Sequence, residues 1–149
     1  MTEFSTSIDI DAPPDVVFEH LVEPERMTSW MGQVAALDPV PGGEFGVDIN
    51  GYLIRGRYLE VDRPHRVVVS WGMEGADDLP PGASRVEFKL TPTGAGTRLD
   101  LLHTGLPESR AGNHGAGWGH YLQRLQLAVT GSDAGPDDWR PDVNGNRDR

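Results

Sequence analysis

One change of hydrophobic period constrains this chain more than any other feature. After Pro107 alternation stops, and Trp118, Tyr121, Leu122, Leu125 and Val129 fall on a single helical stripe with Gln123, Arg124 and Gln126 opposite. What precedes it, from Gly42 onward, is a series of strand-length runs: Glu44 to Ile49, Tyr52 to Asp62, Arg66 to Met73, Ser84 to Thr91 and Thr97 to Thr104. One long C-terminal helix must therefore cover a sheet made of earlier residues. Gly112 to Gly119 contains four glycines, each costing about 1 kcal/mol in a helix interior, so the regular helix is expected to start near Gly117. Gly131 is its expected C-cap.

The spacing of the runs predicts an antiparallel meander. Asn50-Gly51 is a strong hairpin signal, and Pro92 to Gly96 forms a second tight connection. Glu74 to Ala83, rich in Asp, Pro and Gly, reads as a longer loop. Val86, Phe88 and Leu90 share one face of their strand, and His103 is in phase with Leu99 and Leu101, so His103 should point inward. At the N-terminus, Phe4 to Ile10 alternates as an opening strand, giving about six strands in all. Pro13-Pro14 then starts a short helix carrying Val17, Phe18 and Leu21. Pro24 starts another, from Glu25 to Met31, with Met27, Trp30 and Met31 on one side.

At 149 residues the chain suits one domain with one core. We assign residues 1–131 to that domain and read 132–149, polar apart from Trp139 and Val143, as a mobile tail in which Trp139 alone has the apolar area to dock back. The net charge of −10, with Lys89 as the single lysine, opposes binding to phosphate backbones, so nucleic acid is not an expected partner. No apolar run approaches the ~20 residues of a membrane helix, and no secretory leader pattern opens the sequence. With no cysteine present, disulfides, thiolate chemistry and Cys-based zinc sites are excluded, and a cytoplasmic location is expected.

None of the five histidines, His20, His65, His103, His114 and His120, falls in a metal-ligand spacing, so no metal or other cofactor is expected. His114 and His120, set among glycines, read as a polar loop. No Gly-x-Ser-x-Gly elbow supports a hydrolase. His103 has three readings: a core histidine bonded to backbone or water, a ligand contact, or a general base needing an acid partner for which Glu60 and Tyr58 are candidates. The aromatic set is more informative. Trp30, Phe45, Trp71, Phe88, Trp118 and Tyr121 lie on segments that converge between sheet and long helix, with Met27, Met31 and Met73 as adaptable neighbours.

The order Ala12 to Phe18, Pro24-Glu25 leading to Trp30, and Gly56-Arg57-Tyr58-Leu59-Glu60-Val61 resembles the START-like, or SRPBCC, superfamily, which includes the birch-pollen-allergen fold. Gly117-Trp118 opening a helix that continues Tyr121-Leu122-Gln123-Arg124-Leu125 is similar to the branch named for the heat-shock-protein ATPase activator. The resemblance spans about residues 3 to 131. It implies an α+β helix-grip fold, a curved antiparallel sheet wrapped around the C-terminal helix, with a cavity between the two. Different members use that cavity for lipids, sterols, polyketides, hormones or protein contacts, so the fold does not choose among them. The expected function is binding of a small apolar or aromatic molecule, lined by Trp30, Met31, Phe45, Tyr58, Trp71, Phe88, His103, Trp118 and Tyr121. The alternatives are a polyketide cyclase or aromatase using His103, and a chaperone-linked module; a homodimer or chaperone contact accompanies the branch.

Overall fold

The computed structural model describes residues 2–135, with backbone alone for Thr2 and for residues 111–113. The elements run β1 (Thr2–Ile10), α1 (Pro14–Val22), α2 (Pro24–Met27), β2 (Val34–Leu37), β3 (Glu44–Ile49), β4 (Tyr52–Asp62), β5 (Arg66–Met73), β6 (Ser84–Thr93), β7 (Gly96–Leu106) and α3 (Glu108–Val129). The seven strands form one sheet in the order β1-β7-β6-β5-β4-β3-β2. Every neighbouring pair is antiparallel. This is the α+β helix-grip architecture, with one strand more than the sequence predicted. The additional strand, β2, has only four residues and pairs with β3 alone, at the sheet edge.

Turn chemistry sets the register where the sequence expected it. Asn50 and Gly51 adopt φ of 49° and 90°, the left-handed pair that a two-residue hairpin demands, and Ile49 pairs with Tyr52 across them. In β6 and β7, Val86 lies opposite His103, Phe88 opposite Leu101 and Leu90 opposite Leu99. All six side chains are buried on the face that meets the helices. A register shift in β4 between Tyr58 and Glu60 interrupts the alternation. Tyr58 is buried, whereas Glu60 pairs with Arg66 at 3.7 Å among exposed charges.

Both short helices begin at prolines, where the missing N–H has no helical partner to lose. α2 stops at Met27, earlier than the expected Met31, because Thr28 and Ser29 hydroxyls bond back to the carbonyls of Pro24 and Arg26 and compete with the helical ladder. Met27, Trp30 and Met31 are nonetheless all buried.

α3 begins at Glu108, nine residues before the expected Gly117. Tertiary packing overrides the local glycine cost here. A Cβ at Gly115 would lie 3.0 Å from the Phe4 ring, so glycine is what lets α3 approach β1 this closely. Beyond α3 the chain turns back, and the Arg124 guanidinium donates to the carbonyls of Ala134 and Gly135 at 2.8 and 2.9 Å. Trp139 and Val143 lie outside the described residues.

Candidate functional site

Because α3 starts early, Arg110, His114, Trp118 and Tyr121 stand at i, i+4, i+8 and i+11 on one stripe. All four are buried. Facing them are Trp71 at the end of β5, Ser84 at the start of β6, and His103 in β7. Trp71 and Trp118 rings approach to 5.1 Å between centroids, and His103 lies 5.7 Å from Trp71 and 5.3 Å from His114. Phe88 meets Trp118 edge-on at 5.9 Å, while Phe45 links Trp71 to Tyr58 at 6.0 and 5.7 Å.

The hydrogen bonds fix both imidazole tautomers. Trp118 Nε1–H donates to His103 Nδ1 at 3.0 Å, so that nitrogen is an unprotonated acceptor. The proton of neutral His103 is then on Nε2, 2.7 Å from Ser84 Oγ, which it donates to; Ser84 in turn donates to the Trp71 carbonyl at 2.8 Å. His114 is the reverse. Its Nε2 accepts from Trp71 Nε1–H at 3.3 Å, and its Nδ1–H donates to the Arg110 carbonyl at 3.2 Å. Burial pushes the His103 pKa down to about 3, with the neighbouring His114 adding to the shift, and pushes His114 down to about 4. Both imidazoles are therefore uncharged at neutral pH.

Arg110 closes the stripe at its N-terminal end. Its Nε and Nη2 donate to the two Asp78 oxygens, each at 2.8 Å, and Ser109 Oγ adds a third donor at 3.0 Å. The Arg110 guanidinium, followed in effect by Ser109, holds the Asp78 carboxyl down at about 2. Asp78 belongs to the β5–β6 loop, whose next residue, Leu79, is fully buried in the core. The clamp thus ties this loop to the first turn of α3.

All nine residues expected to line a site are buried. Phe45, Tyr58, Trp71, Phe88, His103 and Trp118 are joined in one ring network. Trp30 and Tyr121 form a separate edge-to-face pair at 6.4 Å. Trp30 is pinned at both ends: its Nε1–H donates to the His20 carbonyl at 2.9 Å, and its own carbonyl accepts from Arg124 Nε at 2.9 Å. Met31 joins the same core without a ring partner of its own. Tyr58 donates its hydroxyl to the Leu21 carbonyl at 3.0 Å, and desolvation raises its pKa. Neither Tyr58 nor Glu60 hydrogen-bonds His103; its side-chain partners are Ser84 and Trp118 in place of the backbone or water expected of a core histidine.

Sequence reasoning missed Ser84, Arg110, Asp78 and His114. Ser84 is in phase with Val86 and Phe88, a signal that was present. His114 is no loop residue but a buried wall residue of α3, hidden by the glycines around it. Among the described residues no group of three His, Asp or Glu side chains is arranged to hold a metal ion, and no helix is long and apolar enough to cross a membrane.

Seven antiparallel strands gripping one C-terminal helix, with two short helices inserted after β1, define a START-like domain of the SRPBCC superfamily. Within it, residues 11–130 match the family model for Activator of Hsp90 ATPase homolog 1-like protein, and the chain belongs to that family. The AHSA1-like protein RHE_CH02687 from Rhizobium etli is 39% identical, over 93% of this chain and 89% of that one, with a TM-score of 0.71. CalU16 from Micromonospora echinospora is 29% identical over 95% of this chain and 78% of that one, with a TM-score of 0.75. PFC0360w, an HSP90 activator from Plasmodium falciparum, is 22% identical over 87% and 97% of the two chains at a TM-score of 0.73, a likeness of fold alone. No curated protein matches the chain.

Proposed function

We propose that this domain binds a small apolar or aromatic molecule between the sheet and the N-terminal half of α3, and that it does so without catalysis. The observation that carries this reading is the wall formed by Trp71, Trp118, His103 and His114. Four polar rings are buried together and satisfy one another, where aliphatic side chains would fill a core without any polar group to desolvate. An aromatic ligand parting these rings gains their faces for stacking and their ring nitrogens for hydrogen bonds. The reading places the binder in the cytoplasm, in keeping with a sequence free of cysteine.

The cyclase alternative is weaker on geometry. A general base at His103 needs an acid partner, yet Tyr58 is committed to the Leu21 carbonyl and Glu60 lies with Arg66 among exposed charges. The family description favours a second reading, a chaperone-linked contact, in which the same core would serve only as scaffold. Thermal unfolding in the presence of fatty acids, sterols and fused-ring aromatics separates the two. At a hundredfold excess over Kd a ligand adds about 2.7 kcal/mol of stability, and it should also quench the Trp71 and Trp118 fluorescence. Neither effect with any of these compounds would defeat the binding reading.

A further inference from the structure

We propose that Arg110 is the polar recognition residue of this site, donating from Nη1 to a neutral acceptor oxygen, a carbonyl or phenol oxygen, on an aromatic ligand seated against Trp71 and Trp118. The inference rests on the binding reading above and adds the chemistry of what is bound. The Arg110 side chain is 5% exposed, and two of its three nitrogens are committed to Asp78. The third, Nη1, is buried and has no hydrogen-bond partner. Folded proteins rarely leave a charged donor buried and unused, so each such group calls for an explanation. Arg110 lies one helical turn before His114, on the stripe that also carries Trp118, and His114 Nδ1 bonds its carbonyl. The residue that carries the unused donor therefore stands on the aromatic stripe, at its N-terminal end.

Charge selects the class of ligand. Asp78 already neutralises Arg110, and the hydrogen-bond pattern makes His103 and His114 neutral, so a ligand carboxylate would bring an uncompensated charge into a buried site. A carbonyl or phenol oxygen accepts the free N–H without adding one. A hydrogen bond from a charged donor separates a ligand that has this oxygen from an isostere that lacks it by about tenfold or more.

The test compares 2-acetylnaphthalene with 2-isopropylnaphthalene, which have the same number of heavy atoms and nearly the same shape, by tryptophan fluorescence titration of the full chain. The wild type should bind the ketone about tenfold or more tightly. The variant Arg110→Lys, which keeps a cation opposite Asp78 but lacks the forked donor, should bind the two alike. The carbonyl stretch of the ketone bound to wild type should move to lower wavenumber, and this measurement decides the matter if Arg110→Lys does not fold. Equal affinities in the wild type, a preference that persists in Arg110→Lys, or an unshifted stretch would each overturn the role of Arg110 while leaving the binding site standing. Failure of both naphthalenes to bind would overturn this proposal, and the binding site falls with it if the fatty acids and sterols also fail to bind.

Discussion

Lowering the pH from 7 to 5 should destabilise this fold through His103 and His114, and the size of the effect follows from the structure. Both are held neutral, at about 3 and about 4, so neither takes up a proton in the folded state across this interval. In the unfolded chain each returns to an ordinary pKa near 6.5 and protonates. The unfolded state binds more protons, so stability is complete above pH 6.5 and falls as the pH drops toward the folded values. Each histidine then favours unfolding at pH 5 over pH 7 by RT ln[(1+10^1.5)/(1+10^−0.5)], about 2 kcal/mol, and the pair by about 4 kcal/mol. Such a loss is a large part of the roughly 5–15 kcal/mol that holds a domain together. His20 is shifted the same way by burial and adds to the trend. Asp78, held at about 2, acts only at lower pH, where carboxylates of the unfolded chain protonate. Urea denaturation followed by far-UV circular dichroism at pH 7 and pH 5 measures the drop. Repeating it with His103→Gln and His114→Gln combined should remove about 4 kcal/mol of it, because glutamine offers an amide acceptor and donor but does not titrate. A double variant that loses as much stability as the wild type between the two pH values would refute two histidines held neutral by burial and their indole partners.

Trp118→Phe keeps the ring but leaves His103 Nδ1 buried without a donor, and should lower stability by about 1–3 kcal/mol in urea denaturation. The same variant should let His103 protonate at higher pH, read from its imidazole resonances in an NMR titration. Asp78→Ala leaves the Arg110 guanidinium buried without its anion. It should cost about 3 kcal/mol by thermal or urea unfolding, the low end for a broken buried pair, since Asp78 is 39% exposed. Two glycines of α3 should respond differently to alanine. Gly119→Ala meets nothing within 4 Å and should stabilise by about 1 kcal/mol. Gly115→Ala places its Cβ 3.0 Å from the Phe4 ring and should fall short of that gain, with calorimetry comparing the two.

Period-two alternation was enough to bury His103 opposite Val86, and helical spacing was enough to put Trp118 and Tyr121 against the sheet, because both patterns run long enough to be unambiguous. β2 escaped notice because Val34 to Leu37 offers only four residues, two of them alanines that are depleted in strands, at a free edge. The direction of Glu60 was hidden by the register shift after Tyr58, a backbone event that side-chain alternation does not announce. The N-terminal half of α3 was misread for a different reason. Its glycines do disfavour helix locally, but close approach to Phe4 and the buried contacts of Arg110, His114 and Trp118 outweigh them. Arg110 and His114 went unrecognised along with it.

The two halves of α3 are held by different balances of apolar packing and hydrogen bonds. Toward the C-terminus, Tyr121, Leu122 and Leu125 lie in the apolar core, Arg124 bonds the Trp30 carbonyl and Gln126 bonds the Asp9 carbonyl. This half therefore combines apolar packing with two hydrogen bonds to neighbouring elements. Toward the N-terminus the joints are discrete hydrogen bonds: Arg110 to Asp78, Trp71 to His114 and Trp118 to His103. Each is lost once donor and acceptor move about an ångström beyond bonding distance. These three bonds also index the helix, since a slip of one residue turns it by about 100° and separates all three pairs at once.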